Sequence, residues 1–127
     1  MNNALTVRSR IAAAAIAPYS IAAATGAAHG ARQAAAATDR TLGVVDEVGA
    51  TAAGQTVDIQ MSGYADVRAG GAFADGDPLM SDANGRAVLA TKPGAGVTVF
   101  VVGFARQAAV ADGDIVPMLV SPTVIVG

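Results

Sequence analysis

The residues best equipped for chemistry in this chain are few and scattered. His29 is the single histidine and lies between Ala28 and Gly30. Nucleophilic catalysis needs a base that is oriented by a carboxylate and held beside a nucleophile. Ser62, Ser81 and Ser121 sit in strand-and-turn contexts without a nucleophile elbow, so His29 reads as an exposed loop histidine. Asp75, Asp77, Asp82 and Asn84 form the densest acidic group. Asp82-Ala83-Asn84-Gly85 matches the opening of a calcium loop, but Ala87 occupies the position of the sharp-turn glycine and no bidentate glutamate closes the loop. Asp and Asn also cap turns by accepting bonds from nearby backbone N–H groups. That is the role expected for this group, and for Asp112 and Asp114 around Gly113. The glycines follow no Gly-x-Gly-x-x-Gly pattern and no Gly-Lys-Ser/Thr occurs, so nucleotide binding has no support. No catalytic, cofactor-binding or metal-binding residue is expected, and the chain is read as not an enzyme. Arg68, Arg86 and Arg106 remain as candidate interface anchors, because guanidinium forks bind a partner's carboxylates in bidentate fashion. Tyr19 joins them as a possible interface residue.

Composition narrows the field further. The absence of cysteine removes disulfides, thiolate nucleophiles, zinc–cysteine sites and iron–sulfur clusters. Seven arginines and Lys92 face nine aspartates and Glu47, a formal charge of −2 with no basic stripe, which argues against nucleic acid as a partner. Alanine supplies about a quarter of the 127 residues and aromatics only 4%. The core must therefore be thin, built from Val, Ile, Leu and Ala, and large cofactor pockets are not expected. Near the N-terminus, Arg8 and Arg10 before Ile11–Ala17 imitate a secretory signal. The run lacks Leu and Phe, however, and Pro18-Tyr19-Ser20 interrupts it. It is also too short to span a membrane.

These residues must be positioned by strands. Thr56–Ser62 sends Val57, Ile59 and Met61 to one face and Thr56, Asp58, Gln60 and Ser62 to the other, the period-two pattern of a half-buried strand. Tyr19–Ala24, Thr41–Asp46, Tyr64–Arg68 and Arg86–Ala90 read as further strands. Ala31–Ala36 is a strand candidate, with helix an alternative over 31–37 on alanine propensity. Gly63 suggests a bulge or bend between paired segments. Val97–Phe104, apolar on both faces, must be a central, doubly covered strand. Asp114–Val120 pairs back after the Asp112-Gly113 turn, and Pro117 places it at an edge or a bulge. The expected fold is mainly β: a small antiparallel barrel or sandwich with minor helix and an extended N-terminal arm. Residues 1–17 form the arm and 18–127 the β-rich domain. In the arm, Leu5, Val7, Ile11 and Ile16 are spaced to fill shallow pockets while Arg8 and Arg10 can meet carboxylates.

The run Ala65-Asp66-Val67-Arg68-Ala69-Gly70-Gly71, then Gly76-Asp77-Pro78-Leu79 through Asp82-Ala83-Asn84-Gly85-Arg86-Ala87-Val88, and finally Val102-Gly103-Phe104-Ala105 with Gly113-Asp114-Ile115-Val116, resembles the head-decoration or capsid cement proteins of tailed phages. The Mu-like and siphophage branch is nearest. Ala34–Asp46 is similar too, so the resemblance covers roughly residues 16 to 127. Pro78-Leu79-Met80 with Asp82, Arg86 and Val88 resembles the lambda-type decoration protein more distantly. The resemblance implies a structural protein that is made in the host cytoplasm, binds the major capsid protein on the outer surface of the virion head and stabilises the expanded lattice. It also implies a homo-oligomer, with a trimer favoured, no cofactor, and no nucleic-acid or membrane partner. Leu5, Val7, Arg8, Arg10, Ile11 and Ile16 would then be the capsid-binding arm. The alternative is a secreted or surface bacterial β-domain acting as a binding or structural module.

Overall fold

The computed structural model describes residues 6–127, and among them it contains no helix. Five strands close a barrel: β1 (Val7–Ala12), β2 (Ile21–Ala23), β3 (Gly30–Gln33), β4 (Thr41–Val45) and β5 (Thr56–Gln60), in the order β1-β3-β2-β4-β5. Five more form an adjacent sheet: β6 (Gly63–Arg68), β7 (Pro78–Ser81), β8 (Ala87–Leu89), β9 (Thr98–Ala105) and β10 (Ile115–Val126), in the order β6-β10-β9-β7-β8. Barrel or sandwich was the expectation, and the molecule contains a closed barrel with a sheet beside it. The expected minor helix does not occur among the described residues. At the ambiguous alanine run, only residues up to Gln33 are strand: β3 pairs with β1 on one side and β2 on the other and buries Ala31. Ala34–Ala37 is neither helix nor strand but part of the β3–β4 loop, where Asp39 takes the N–H groups of Ala35 and Ala36, so pairing and loop bonds together override the helical preference of alanine.

The barrel is not wholly antiparallel. β1 and β3 run parallel, with Ile11 opposite Gly30 and Ala12 opposite Ala31, while the other barrel seams are antiparallel. The reason is arithmetic: in a ring with an odd number of strands, up-down alternation cannot close, so one seam must be parallel.

Two apolar clusters follow from the period-two alternation of side chains. Inside the barrel, Ala12, Ile16, Ala22, Ala31, Val45, Ala50, Val57 and Ile59 meet. Between barrel and sheet, Ile21, Ala23 and Val44 pack against sheet residues that include Val67, Leu79, Val116 and Met118. Consecutive residues of β2 and β4 thus belong to different clusters, and these two strands form a wall buried on both faces.

Several expectations need correction. Val7–Ala12 is no detached arm: residues Val7 to Ile11 register with Gln60 to Thr56 of β5, and the strand's end pairs with β3. The alternation that suggested shallow pockets on a partner is filled by the barrel itself. Gly63 does not separate two paired strands either. β5 stays in the barrel, β6 pairs with β10, and the chain passes between the layers at Gly63, whose φ is +79°. β9 is central as expected, flanked by β10 and β7, but it is not covered on both faces: Val99, Val101, Gly103 and Ala105 are buried, whereas on the other face Thr98, Phe100 and Phe104 are half-buried and only Val102 is buried. Pro117 lies in β10, which has neighbours on both sides. Its carbonyl accepts the Arg106 N–H (3.0 Å) just beyond the end of β9, and a residue's N and C=O point to the same side of a strand, so the missing N–H faces the end of the β9 ladder and the β6 ladder loses no donor. At Gly103 the two strands approach so closely that a Cβ would fall onto the Leu119 carbonyl.

The β3–β4 loop docks on the sheet through the Ala37 carbonyl, which accepts the Phe100 N–H at 2.9 Å. Asp39 holds that loop. Its carboxylate accepts a hydrogen bond from the Arg32 guanidinium (3.0 Å), makes a second ion-pair contact with it at 3.0 Å, and accepts the N–H groups of Ala35 and Ala36. The Arg32 hydrogen bond, against the opposing effect of burial, keeps the Asp39 carboxyl below the usual carboxylate range.

Two outcomes follow. Deletion through Ala17 should unfold the barrel, since β1 supplies two of its seams and each lost ladder bond costs about 1 kcal/mol. A wild-type urea midpoint in the truncated protein would contradict this. Asp39→Ala should cost about 1–2 kcal/mol at neutral pH. Because the folded carboxyl titrates lower than the unfolded one, this contribution is complete above the ordinary Asp value of about 3.9 and disappears as pH falls through the folded value. Urea curves of wild type and variant should therefore converge in strong acid.

Candidate functional site

The rim where barrel meets sheet gathers residues from elements far apart in sequence. Tyr19, in the β1–β2 connection, holds it together. Its φ is +60°, a left-handed conformation that costs a side-chain-bearing residue about 1–2 kcal/mol. Bonds on both sides fix it: the Tyr19 N–H donates to the Asp46 carbonyl (3.2 Å), and its carbonyl accepts the Arg68 N–H (2.9 Å). One bond reaches the barrel and the other the sheet.

On one side of Tyr19 opens a polar cleft of about 470 Å³, lined by Ser20, Gln33, Arg68, Asn84 and Arg86 together with Ala17. Gln33 spans it, accepting the Ala17 N–H (2.9 Å) and donating to the Asn84 carbonyl (2.8 Å). Arg86 reaches outward to Asp112 at 2.5 Å. Among the described residues no carboxylate pairs with Arg68, which is half-buried at the cleft wall. A smaller cleft of about 200 Å³, lined by Tyr19, Asp46, Glu47, Gln60 and Asp66 among others, opens beside it with acidic character. Asp66 and Arg68 stand two apart on β6 and so on one face. The rim thus carries neighbouring negative and positive pockets. Such a surface is suited to bidentate carboxylate recognition and charge matching with a partner.

Of the expected interface residues, the structure brings Tyr19, Arg68 and Arg86 together. Arg106 lies elsewhere, exposed after the end of β9. Among the residues expected to bind capsid through an arm, Leu5 lies outside the described residues. Val7 and Ile11 are exposed on the outer barrel face, either side of the Ser9–Asp58 hydrogen bond (2.6 Å). Arg8 is exposed, and Arg10 donates to the Gly30 carbonyl at 3.2 Å. Ile16 is 1% exposed inside the barrel and has nothing to offer a partner. Ser20, Gln33, Asp46 and Asp66 carry no local pattern that marks them for an interface, and Asn84 reads from sequence only as a turn residue; only the stacking of barrel on sheet makes them neighbours.

Of the turn residues expected to cap, Asp77, Asp82 and Asp114 do so, while Asp112 binds the Arg86 guanidinium instead. Asp82 accepts the N–H groups of Asn84 and Arg86, Asp114 those of Val110 and Ala111, Asp46 those of Val48 and Gly49, and Asp77 that of Ala74. His29 is exposed at φ +62°, with its carbonyl accepting the Ile11 N–H.

A family model described as phage cement protein matches residues 6–120. No curated protein matches the chain significantly. Among solved structures, the crystal structure of the head fiber gp8.5 N base in bacteriophage phi29 is similar, with a TM-score of 0.62 and 22% identity, covering 93% of this chain and 95% of that one. At that identity the likeness shows a shared fold.

Arg68→Ala and Arg86→Ala should each shift stability by less than about 1 kcal/mol, since the one ion pair involved is solvent-exposed. Urea denaturation checks this, and a larger loss would make these arginines structural.

Proposed function

The chain belongs to the phage cement protein family, and from that premise we propose that it binds the major capsid protein on the outer surface of the head and stabilises the expanded lattice. The role is structural capsid decoration. The observation that carries it is the family match over residues 6–120; the shared fold with a phage head fiber base is consistent with it. The proposal extends to the means. The rim pockets around Tyr19, with Arg68 free to receive a carboxylate and Asp66 beside it, are one contact with the shell, and the exposed Val7 and Ile11 on the outer face of β1 are a second. Binding the expanded lattice more tightly than the unexpanded or ruptured one converts binding free energy into lattice stability. No chemical step is needed, so the protein acts as a non-enzymatic component, assembled with heads in the host cytoplasm. The homo-oligomer the family resemblance implies, a trimer, would multiply these contacts, because linked sites rebind at high effective concentration.

Heads lacking the protein should rupture or release DNA at lower temperature or under milder osmotic shock, and added wild-type protein should restore them. The double variant Arg68→Glu/Arg86→Glu should need at least tenfold more protein for the same protection, a loss of about 1.4 kcal/mol or more. Equal survival of bare and decorated heads would remove the stabilising role. Full protection by the double variant would move the contact away from the rim.

A further inference from the structure

Strand β10 has two neighbours along only its first half. Ile115 to Val120 pairs with β6 on one side, ending where Val120 lies opposite Gly63. Beyond a register shift between Val120 and Thr123, the strand continues against β9 alone. Among the described residues no strand lies on its other side. Two bonds show which backbone groups are left over. The Gly127 N–H donates to the Val97 carbonyl (2.9 Å), and the Phe100 N–H, opposite Val124, turns away from β10 to the Ala37 carbonyl. Hydrogen-bonded and non-hydrogen-bonded pairs alternate along an antiparallel ladder. The N–H and C=O groups of Val124 and Val126 therefore face away from β9. Their side chains are 48% and 64% exposed, and Val97 nearby is 40% exposed.

Exposed strand edges ordinarily carry lysines, inward charges or prolines that prevent pairing with another chain. From Ile115 to Gly127 there is no charged residue, and Pro122 lies in the register shift between Val120 and Thr123, short of Val124 and Val126. This segment also lies beyond residue 120, where the family match ends.

We propose that this edge pairs with the same edge of a second copy of the chain, by antiparallel strand addition about a twofold axis through Ile125. The outward-facing groups sit on residues two apart. A twofold at Ile125 sets Val124 of one copy opposite Val126 of the other, and both such pairs are hydrogen-bonded pairs that exchange N–H and C=O. Every outward group on these two residues then finds a partner. Valine meets valine across the seam, and no like charges oppose each other. The edge is complementary to itself in hydrogen bonding, shape and charge, which is why the occupant is a second copy. The joined sheets run continuously through both subunits. Pairing of this kind doubles whatever unit exists beforehand, so monomers become dimers and trimers become hexamers. It goes beyond capsid binding and does not depend on it.

The test uses the purified full chain without heads, so its failure leaves the capsid role untouched. Sedimentation velocity over a wide concentration range should show the particle mass doubling. Val124→Pro removes an outward N–H that takes no part in the β9 ladder, so it should weaken doubling at least tenfold with the thermal midpoint nearly unchanged. Val126→Lys, which places a charge on the edge, should do the same and serves if the proline variant does not fold. Amide exchange at Val124 and Val126 should slow as concentration rises. A mass that never doubles, doubling undiminished in Val126→Lys, or an oligomer in which these two amides still exchange freely would each overturn the inference.

Discussion

The structure depends on one wall that is buried on both faces. In β2, Ile21 and Ala23 face the sheet while Ala22 faces the barrel interior; in β4, Val44 and Val45 divide in the same way. A strand can be buried on both faces only if every side chain is apolar and its backbone groups are paired in the ladders. Ile21, Ala22, Ala23, Val44 and Val45 meet that demand. With the wall in place, the barrel gains an interior, the sheet gains a surface to cover, and the two clusters are separated by a single strand layer.

The composition makes sense against this wall. A five-stranded barrel has a narrow interior, and Ala12, Ala22, Ala31 and Ala50 fill much of it beside Ile16, Val45, Val57 and Ile59. Larger side chains would force strained rotamers or spread the strands. Gly43 marks a close approach of β4 to β5 in the barrel wall, where a Cβ would meet the Gln60 carbonyl. Short loops must then return the chain quickly, and aspartates make this possible by taking up N–H groups that no ladder satisfies, Asp39 through its Arg32 pair most completely.

Charge is excluded from the wall and collects at its rim. There Tyr19 adopts a left-handed backbone to bond both layers, and Arg68, Arg86, Asp66 and Asp46 stand around it. A cement protein has to hold a fixed surface against a shell, and rim residues inherit the rigidity of the strands that carry them. The same economy leaves one strand longer than its neighbour: β10 outruns β6, and the uncovered valines are the result.

Local sequence determined much of this. The alternation of Thr56–Gln60, the central place of β9, the capping by Asp77, Asp82 and Asp114 and the exposure of His29 were legible, because each depends on an apolar run, on period-two burial or on bonds spanning a few residues. The family was legible as well, since its turns and strand runs recur as linear motifs. Other features needed the tertiary structure. Alanine propensity left helix open at residues 31–37; pairing on both sides of β3 decided 31–33, and the loop bonds that Asp39 takes from Ala35 and Ala36 decided the rest. Val7–Ala12 carried an alternation that suits a partner's groove and a barrel seam equally, and only ring closure decided between them. The grouping of Tyr19 with Arg68 and Arg86, and the separation of Arg106 from them, came from stacking barrel on sheet. Contacts between residues dozens of positions apart leave no local pattern, because they are set by where the strands go rather than by what lies beside each residue in the chain.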